Sequence, residues 1–406
     1  MAFDLIVVGG GLGGSTLAGA VARTGAKVLV LERETRFKDR VRGDMIYPWG
    51  VADARRLGLV GSVFDSVGHV VGPWCNTVKP LPRSVRDLPS TSPSGENGIG
   101  FYHPELQEAL LLAAEAAGAE VRRGFKVTGV EPGGDDRQPT VVGVSAASSR
   151  GAPERLTARL VVGADGRDSG VRSWADFTVT RDPPRLVLAG ALINGLDAPD
   201  PAANVFFAPS TGLMSIVIPI GQDRHRVYGG YELKGGRRNL SGPAAFGPFL
   251  DLVKESGAPA EWFQRAELAG PLAAFDGADH WVESPYHHGV ALIGDAASAS
   301  DPSFGCGMSL TVRDARVLSE ALAAADDWHS ACRSYAAQHA VYFGKLHTII
   351  DWLTQLYRET GAEADARRRR AFPLFAQDRT RIPDVVGWGP DGASDERARR
   401  RFFGEE

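Results

Sequence analysis

The stretch from Asp4 to Glu34 constrains this chain more than any other. Leu5 to Val8 form a short apolar run that reads as a buried strand. Gly9, Gly11 and Gly14 follow at G-x-G-x-x-G spacing and lead into an Ala-rich helical run, Ser15 to Arg23. Gly25 stops that helix, and Lys27 to Leu31 form a second apolar strand closing on Glu32. Each part suits a bound dinucleotide. The first glycine permits the tight turn, the second lets backbone approach a pyrophosphate, and the third lets helix and strand pack closely. The helix start offers free N–H groups and positive dipole charge to phosphate. Glu32, at the tip of the second strand, is placed to accept ribose hydroxyls. An ordinary βαβ turn would need neither the three spaced glycines nor the terminal acid.

The rest of the chain must be read around that unit. At 406 residues it is long enough for two or three domains of about 150 residues each. An apolar content of 43% with 23% charged residues excludes a disordered chain. A net charge of −4 argues against nucleic acid as partner, so the arginine runs at 367–370 and 399–401 read as solvated helix faces. No run reaches 18 apolar residues, so no stable membrane insertion is expected. The first strand begins close to Met1, so no signal peptide is expected. Cys75, Cys306 and Cys332 are too few and scattered for a disulfide framework or zinc site. A reducing cytoplasm and no metal are the expectations.

Further along, Arg33 to Arg42 make a charged loop before Gly43-Asp44-Met45. Arg40 and Arg42 either reach a pyrophosphate or carboxylate bidentately or form a solvated basic loop. Residues 51–61 read as a short amphipathic helix. Val67 to Val71 and Cys75 to Val78 read as strands able to pair, Pro104 to Ala117 as a helix and Val121 to Val130 as a strand. Gly133 to Pro139 reads as a turn and Thr140 to Ser145 as another strand. The strand over 156–163 breaks at Ala164-Asp165-Gly166, which puts a carboxylate at a strand's carboxyl end, where ligands of open α/β sheets lie. Asp-Gly is also a common turn, so both readings of Asp165 stand.

From Phe177 to Pro285 four extended segments (186–193, 203–207, 214–220 and 226–233) suggest a mostly antiparallel layer, with helical stretches at 246–256 and 260–265. Val290 to Ile293 then forms a strand ending in Gly294-Asp295, followed by a turn-rich loop and a helix over 309–325. The expected fold class is α/β. A Rossmann-like dinucleotide domain (1–66, 101–176 and 286–325) would carry an inserted, mostly antiparallel β-sheet substrate domain (67–100 and 177–285). C-terminal helices would fill 326–406.

Three separated motifs then fit one pattern. They are the G-x-G-x-x-G unit with Glu32; Asp165-Gly166 with Ser169 and Arg172; and Gly294-Asp295-Ala296-Ala297 with Pro302, Gly305, Gly307 and Asp314. Their order and spacing resemble those of the group A flavoprotein monooxygenases, the p-hydroxybenzoate hydroxylase-like family. The resemblance covers about the first 325 residues. It implies non-covalent FAD, with the glycine turn on the pyrophosphate and Glu32 on the adenosine ribose. Asp165 and Gly166 would take a double role toward FAD and NAD(P)H, and Asp295 would lie on the ribityl side. Pro302, Gly305, Cys306 and Gly307 would lie against the isoalloxazine, and Arg42 would contact flavin or nicotinamide. Leu12, Gly13, Arg33, Val127 and Met308 complete the expected FAD contacts.

The resemblance further implies NAD(P)H as a transient co-substrate and transfer of one oxygen atom from O2, via a flavin C4a-hydroperoxide. The substrate would be an aromatic or polycyclic small molecule. Met214 to Ile220 and Tyr228 to Tyr231 would roof its pocket, with Tyr47 near the mouth. Tyr228, Tyr231 and His225 have the chemistry of a base but equally that of packing, and no catalytic residue is assigned. The chain departs from the family at Ser298, where a histidine is usual, at Cys306 for glutamine, at Ser309 for asparagine, and at His103, near where an arginine is common. Halogenases and geranylgeranyl-reductase-like saturases share the motifs, but their Trp-x-Trp-x-Ile-Pro and Tyr-x-Trp-x-Phe-Pro signatures do not occur here. Both stay as alternatives on the same fold, and a non-catalytic flavin-binding protein is an alternative from another class.

Overall fold

The computed structural model describes residues 3–41, 43–133, 142–148, 151–233 and 240–406. Its first sheet grows from the strand Phe3–Val8, which pairs in parallel with Val28–Glu32 on one side and Glu154–Gly163 on the other. Glu120–Arg123 and Val290–Leu292 extend it in parallel, and Tyr286–His287 closes one edge. The central strands are buried on both faces, as their uninterrupted Val, Ile and Leu runs require. The expected strand over 121–130 is two strands, because Gly124 takes φ +72° and turns the chain out of register. Phe125–Glu131 pairs instead with Val142–Ser148, antiparallel. The expected turn over 134–139 and the first residues of the Thr140 strand lie outside the described residues, as does Arg42.

The second sheet has seven strands, antiparallel except where Trp74–Val78 runs parallel to Ala203–Ala208. Val67–Val71 and Cys75–Val78 do not pair with each other. Gly68–Val71 joins Gly98–Phe101 and Met45–Ile46 in a small sheet of its own, while Trp74–Val78 enters the large one. Leu186–Asn194 lies second from one edge, between Arg224–Glu232 and the edge strand Glu267–Asp276, a strand the apolar pattern did not reveal. Side-chain alternation divides this sheet. Met214, Ile216, Ile218 and Tyr228 join the core shared with the first domain. Val217, Val227 and Tyr231 pack under the helix Phe246–Glu255. Tyr231 is therefore on the face opposite to the expected roof.

The helices run close to their expected spans. Leu12–Ala22 starts three residues before the expected Ser15, so Gly13 and Gly14 lie in its first turn. Pro48–Arg56 and Val63–Val67 replace the single helix over 51–61. Gly307–Ala324 begins two residues before Ser309. Trp328–Tyr357 is one 30-residue helix, N-capped by Asp327, which accepts from the amides of His329 and Ser330. Among the described residues no helix is long and apolar enough to cross a membrane.

Candidate functional site

Three strand tips of the first sheet stand side by side. The Gly9 amide donates to Leu31 O, the Ala164 amide to Val8 O and the Ile293 amide to Gly163 O. The loops leaving those tips touch. A Cβ on Gly9, at φ +103°, would lie 2.5 Å from Ala164 O and 3.1 Å from the Asp165 Cα. One on Gly13 would meet Thr311 at 2.8 Å and Ile293 at 3.3 Å, and one on Gly294 would meet the same Thr311. All three motifs therefore meet at one sheet edge, with the helices Leu12–Ala22 and Gly307–Ala324 packed start to start.

Neither helix start carries a side-chain cap. Their first N–H groups are the donors a phosphate or an electron-rich ring would take up, and each helix end adds about half a positive charge. Space exists for such a group. A Cβ on Gly11 would find only the Gln107 Nε2, at 3.4 Å, and one on Gly307 would meet nothing within 4 Å. Gly14 is different: its Cβ would fall 1.9 Å from Gly9 O, so that glycine is needed for packing. Glu32 is buried at the second strand tip, with Oε2 accepting from the Gly10 amide at 2.7 Å and Oε1 from Glu34 at 2.8 Å. These donors and this cradle fit FAD.

The remaining expected contacts are distributed unevenly. Asp165 directs its carboxylate at its own chain, accepting from Ser169 Oγ at 2.5 Å, Gly170 N at 2.8 Å and Val171 N at 3.2 Å. It thus orders the turn, leaving Gly166, at φ +85°, with open space before its Cα. Asp295 lies half-buried in the single turn Gly294–Ala296. Pro302 opens the turn Pro302–Phe304, capped by Asp301, and Gly305 follows in the left-handed region. Val127 is buried opposite Ala146, whereas Arg33 points outward with 59% of its side chain exposed.

The family departures have local partners. Ser309 Oγ accepts from the Tyr47 amide at 2.9 Å, and the Tyr47 hydroxyl donates to Phe304 O at 2.8 Å, so Tyr47 is buried as a brace behind the loop over 302–307. The Cys306 thiol is fully buried and its pKa is pushed far up by that burial, which keeps it an unreactive thiol. Ser298 bonds His339 Nε2 at 3.1 Å. A histidine from the long C-terminal helix thus stands beside the position where the resemblance led us to expect one. Met308 packs on Gly43, and His103 Nδ1 lies 2.7 Å from Gly43 O.

A buried charged cluster ties the segment between Val28–Glu32 and Met45–Ile46 to the second sheet, and no local sequence signal announced it. Arg226, fully buried, pairs with Asp39 Oδ2 at 2.9 Å and Asp44 Oδ2 at 2.9 Å, and Tyr228 donates to Asp44 Oδ2 at 2.6 Å. Burial alone would lower the Arg226 pKa, but Asp44, Tyr228 and Asp39 outweigh it and keep the guanidinium charged. Burial and then the Asp44 charge raise the Tyr228 pKa, so it donates a hydrogen bond and is no base at neutral pH. His225 is buried with its pKa lowered by desolvation. The cluster anchors Asp39 and Asp44, on either side of Gly43, to the inner face of the second sheet.

A Rossmann-type edge of converging loops under the apolar face of a second sheet is where a dinucleotide-binding α/β domain takes its cofactor. Residues 2–331 match the family model described as FAD binding domain. The chain belongs to this family, whose cofactor is FAD. It is 27% identical over 386 residues to the squalene monooxygenase of Rattus norvegicus, covering 92% of this chain and 64% of that protein. It is 30% identical over 342 residues to the rifampicin monooxygenase of Streptomyces venezuelae, covering 80% of this chain and 65% of that protein. The chain thus spans just under two thirds of the length of these two relatives. The crystal structure of a flavoprotein/dehydrogenase from Cytophaga hutchinsonii shares the fold, with a TM-score of 0.75 at 16% identity, over 99% of this chain and 93% of that one.

Proposed function

We propose that the chain is an NAD(P)H-consuming, FAD-dependent monooxygenase that places one atom of O2 into an aromatic or polycyclic small molecule. The observation that carries this reading is the convergence of two uncapped helix starts and three strand-tip loops beneath the apolar inner face of the second sheet. When bound, FAD supplies the redox chemistry, accepting electrons from NAD(P)H and passing them to O2. The chain's own groups bind, orient and exclude water. The amides of the Leu12 helix and Glu32 hold the nucleotide half. The start of the Gly307 helix favours negative charge at the ring end, an effect worth ~0.3–2 kcal/mol.

Leu188, Val205, Phe207, Met214 and Ile216 supply a dry apolar wall on the other side. Tyr47, through Phe304 O, and Asp301, through the Ser303 amide, fix the loop between them. Gly9 to Gly14, Glu32, Asp165, Gly166, Asp295 and Pro302 to Met308 are the proposed FAD contacts. The test is a compound screen with the FAD-loaded protein, following NADH and NADPH consumption and product mass. Faster consumption with a product heavier by one oxygen atom is expected. A protein that binds FAD yet never oxidises NAD(P)H faster with any compound would overturn the reading in favour of a flavin-binding protein.

A further inference from the structure

We propose that Asp182, Asp279 and His347 bind a divalent transition-metal cation, with Zn2+ as the representative, at a site beyond the flavin cradle. The short strands Thr180–Arg181 and His280–Trp281 pair antiparallel, with Arg181 opposite His280. The next residues outward are Asp182 and Asp279, and the Asp182 amide donates to Asp279 O at 3.0 Å. That pairing sets two carboxyl groups directly across from each other, an arrangement that is destabilising when both are charged and that a cation between them relieves. The long C-terminal helix adds His347. Its Nε2 is 2.9 Å from Asp182 Oδ2 and 3.8 Å from Asp279 Oδ2, and the three candidate ligand atoms all lie within 4.8 Å of one another. Bonds of about 2.0–2.2 Å from one ion to imidazole nitrogen and carboxylate oxygen imply ligand separations of roughly 3–4 Å, so the triad already has close to the required span.

A second observation points to a ligand independently. The Asp279 side chain is 4% exposed. Its Oδ2 is buried without a hydrogen-bond partner among the described residues. A buried carboxylate oxygen left without a donor is costly, and native structures seldom keep one. This oxygen lies toward His347 Nε2, at 3.8 Å, and Asp182, Asp279 and His347 line, with Asp301, a pocket that opens to solvent, which gives an ion a way in. The nearby arginines each have a partner outside the triad, although Arg185 also lines the pocket. Arg185 pairs with Glu359 at 3.4 Å and Asp351 at 3.9 Å, Arg181 pairs with Asp276, and Arg167 donates to Ala278 O. The His347 ring is held between Trp281, at 4.8 Å, and Phe343, at 5.9 Å, which fixes its approach.

One imidazole with two carboxylates suits Zn2+, Mn2+ or Fe2+ better than Mg2+, which keeps its water and prefers oxygen alone. Bound there, the ion would tie the long helix to the small sheet that also holds Ser298–Ala299. Cysteine spacing offers no hint of this site, because its ligands come from three distant segments.

The test uses the full FAD-loaded chain after chelation and dialysis. Zn2+ titration by calorimetry should show one saturable equivalent, a melting temperature that rises with Zn2+, and much weaker binding of Mg2+. Asp279→Asn and His347→Gln remove proposed ligands and should each weaken Zn2+ binding by at least the ~10–100-fold that loss of an outer-shell partner costs, while His69→Gln, in the separate His69–Asp200 pair, should not. No saturable equivalent in wild type, or an equivalent kept by both site variants, overturns the proposal. If a variant fails to fold, Co2+ added to wild type decides instead. Paramagnetic shifts of the His347 ring resonances support the site, and unshifted His347 resonances refute it.

Discussion

Replacing Gly11 by alanine should separate folding from cofactor binding. The backbone there, φ −75° and ψ −166°, is open to any residue, and the added methyl would meet only the flexible tip of Gln107, at 3.4 Å. The apo protein should therefore lose no more than about 0.5–1 kcal/mol, the cost of a poorer helix N-cap. The same methyl would occupy the space through which a pyrophosphate approaches the helix amides. Losing one charge-assisted hydrogen bond costs ~1.5–3 kcal/mol, which corresponds to roughly 10–150-fold weaker FAD. Gly14→Ala behaves differently. Its methyl would lie 1.9 Å from Gly9 O, so the helix must retreat from the turn. Overpacking of this kind costs ~1–3 kcal/mol, and stability and FAD affinity should fall together. Thermal melting of the apo forms and FAD titration by flavin fluorescence measure both quantities. Gly11→Ala binding FAD as tightly as wild type would show that this turn is not the pyrophosphate site.

Other perturbations bear on neighbouring parts. Both oxygens of Glu32 accept backbone amides, and Glu32→Gln turns an NH2 toward one of those donors; a loss of ~1–3 kcal/mol in apo stability and weaker FAD should both appear in melts and titrations. His339 is buried with its pKa pushed down to about 3 by desolvation. As pH falls below about 6.5 the unfolded chain takes up a proton that the folded one refuses, so the contribution of His339 to stability declines by up to ~1.4 kcal/mol per unit. Asp314, 3.9 Å away, is raised to about 7 by burial and takes up its proton in the folded state over the same range, which opposes the trend. Urea melts of wild type against His339→Gln isolate the histidine: the wild-type advantage should shrink from pH 6.5 to 4.5, and a constant difference would refute this assignment. Cys75, Cys306 and Cys332 are all buried, so a thiol reagent should label none of them in the native protein and all of them in denaturant; rapid native labelling at Cys306 would contradict its placement.

The C-terminal helix shows how part of the site stayed out of view. Tyr335 donates to Leu292 O at 2.8 Å, His339 reaches Ser298, and Tyr342 donates to Asp314. The spacing 335, 339, 342 puts all three on one helix face, so a polar stripe was visible in principle. What it would touch was not, because nothing local records which loop lies beneath. The Asp165 carboxylate makes the same point at shorter range: the Asp-Gly signal marked the position, while its use as a cap for Ser169 to Val171 depended on how the turn closes.

The sequence by itself determined the dinucleotide unit, the acids at three strand tips and the run of most strands and helices. These are local matters of glycine spacing, apolar period and capping, where a few adjacent residues decide the backbone. Tertiary structure alone decided which strands became neighbours. It separated 67–71 from 75–78, drew 267–276 into the large sheet, turned Tyr228 inward and Tyr231 outward, and brought Arg226 onto Asp39 and Asp44 across more than 180 residues of chain. Such pairings depend on sheet register, where a one-residue slip exchanges the faces, and on burial energies shared among segments that no short window of sequence contains.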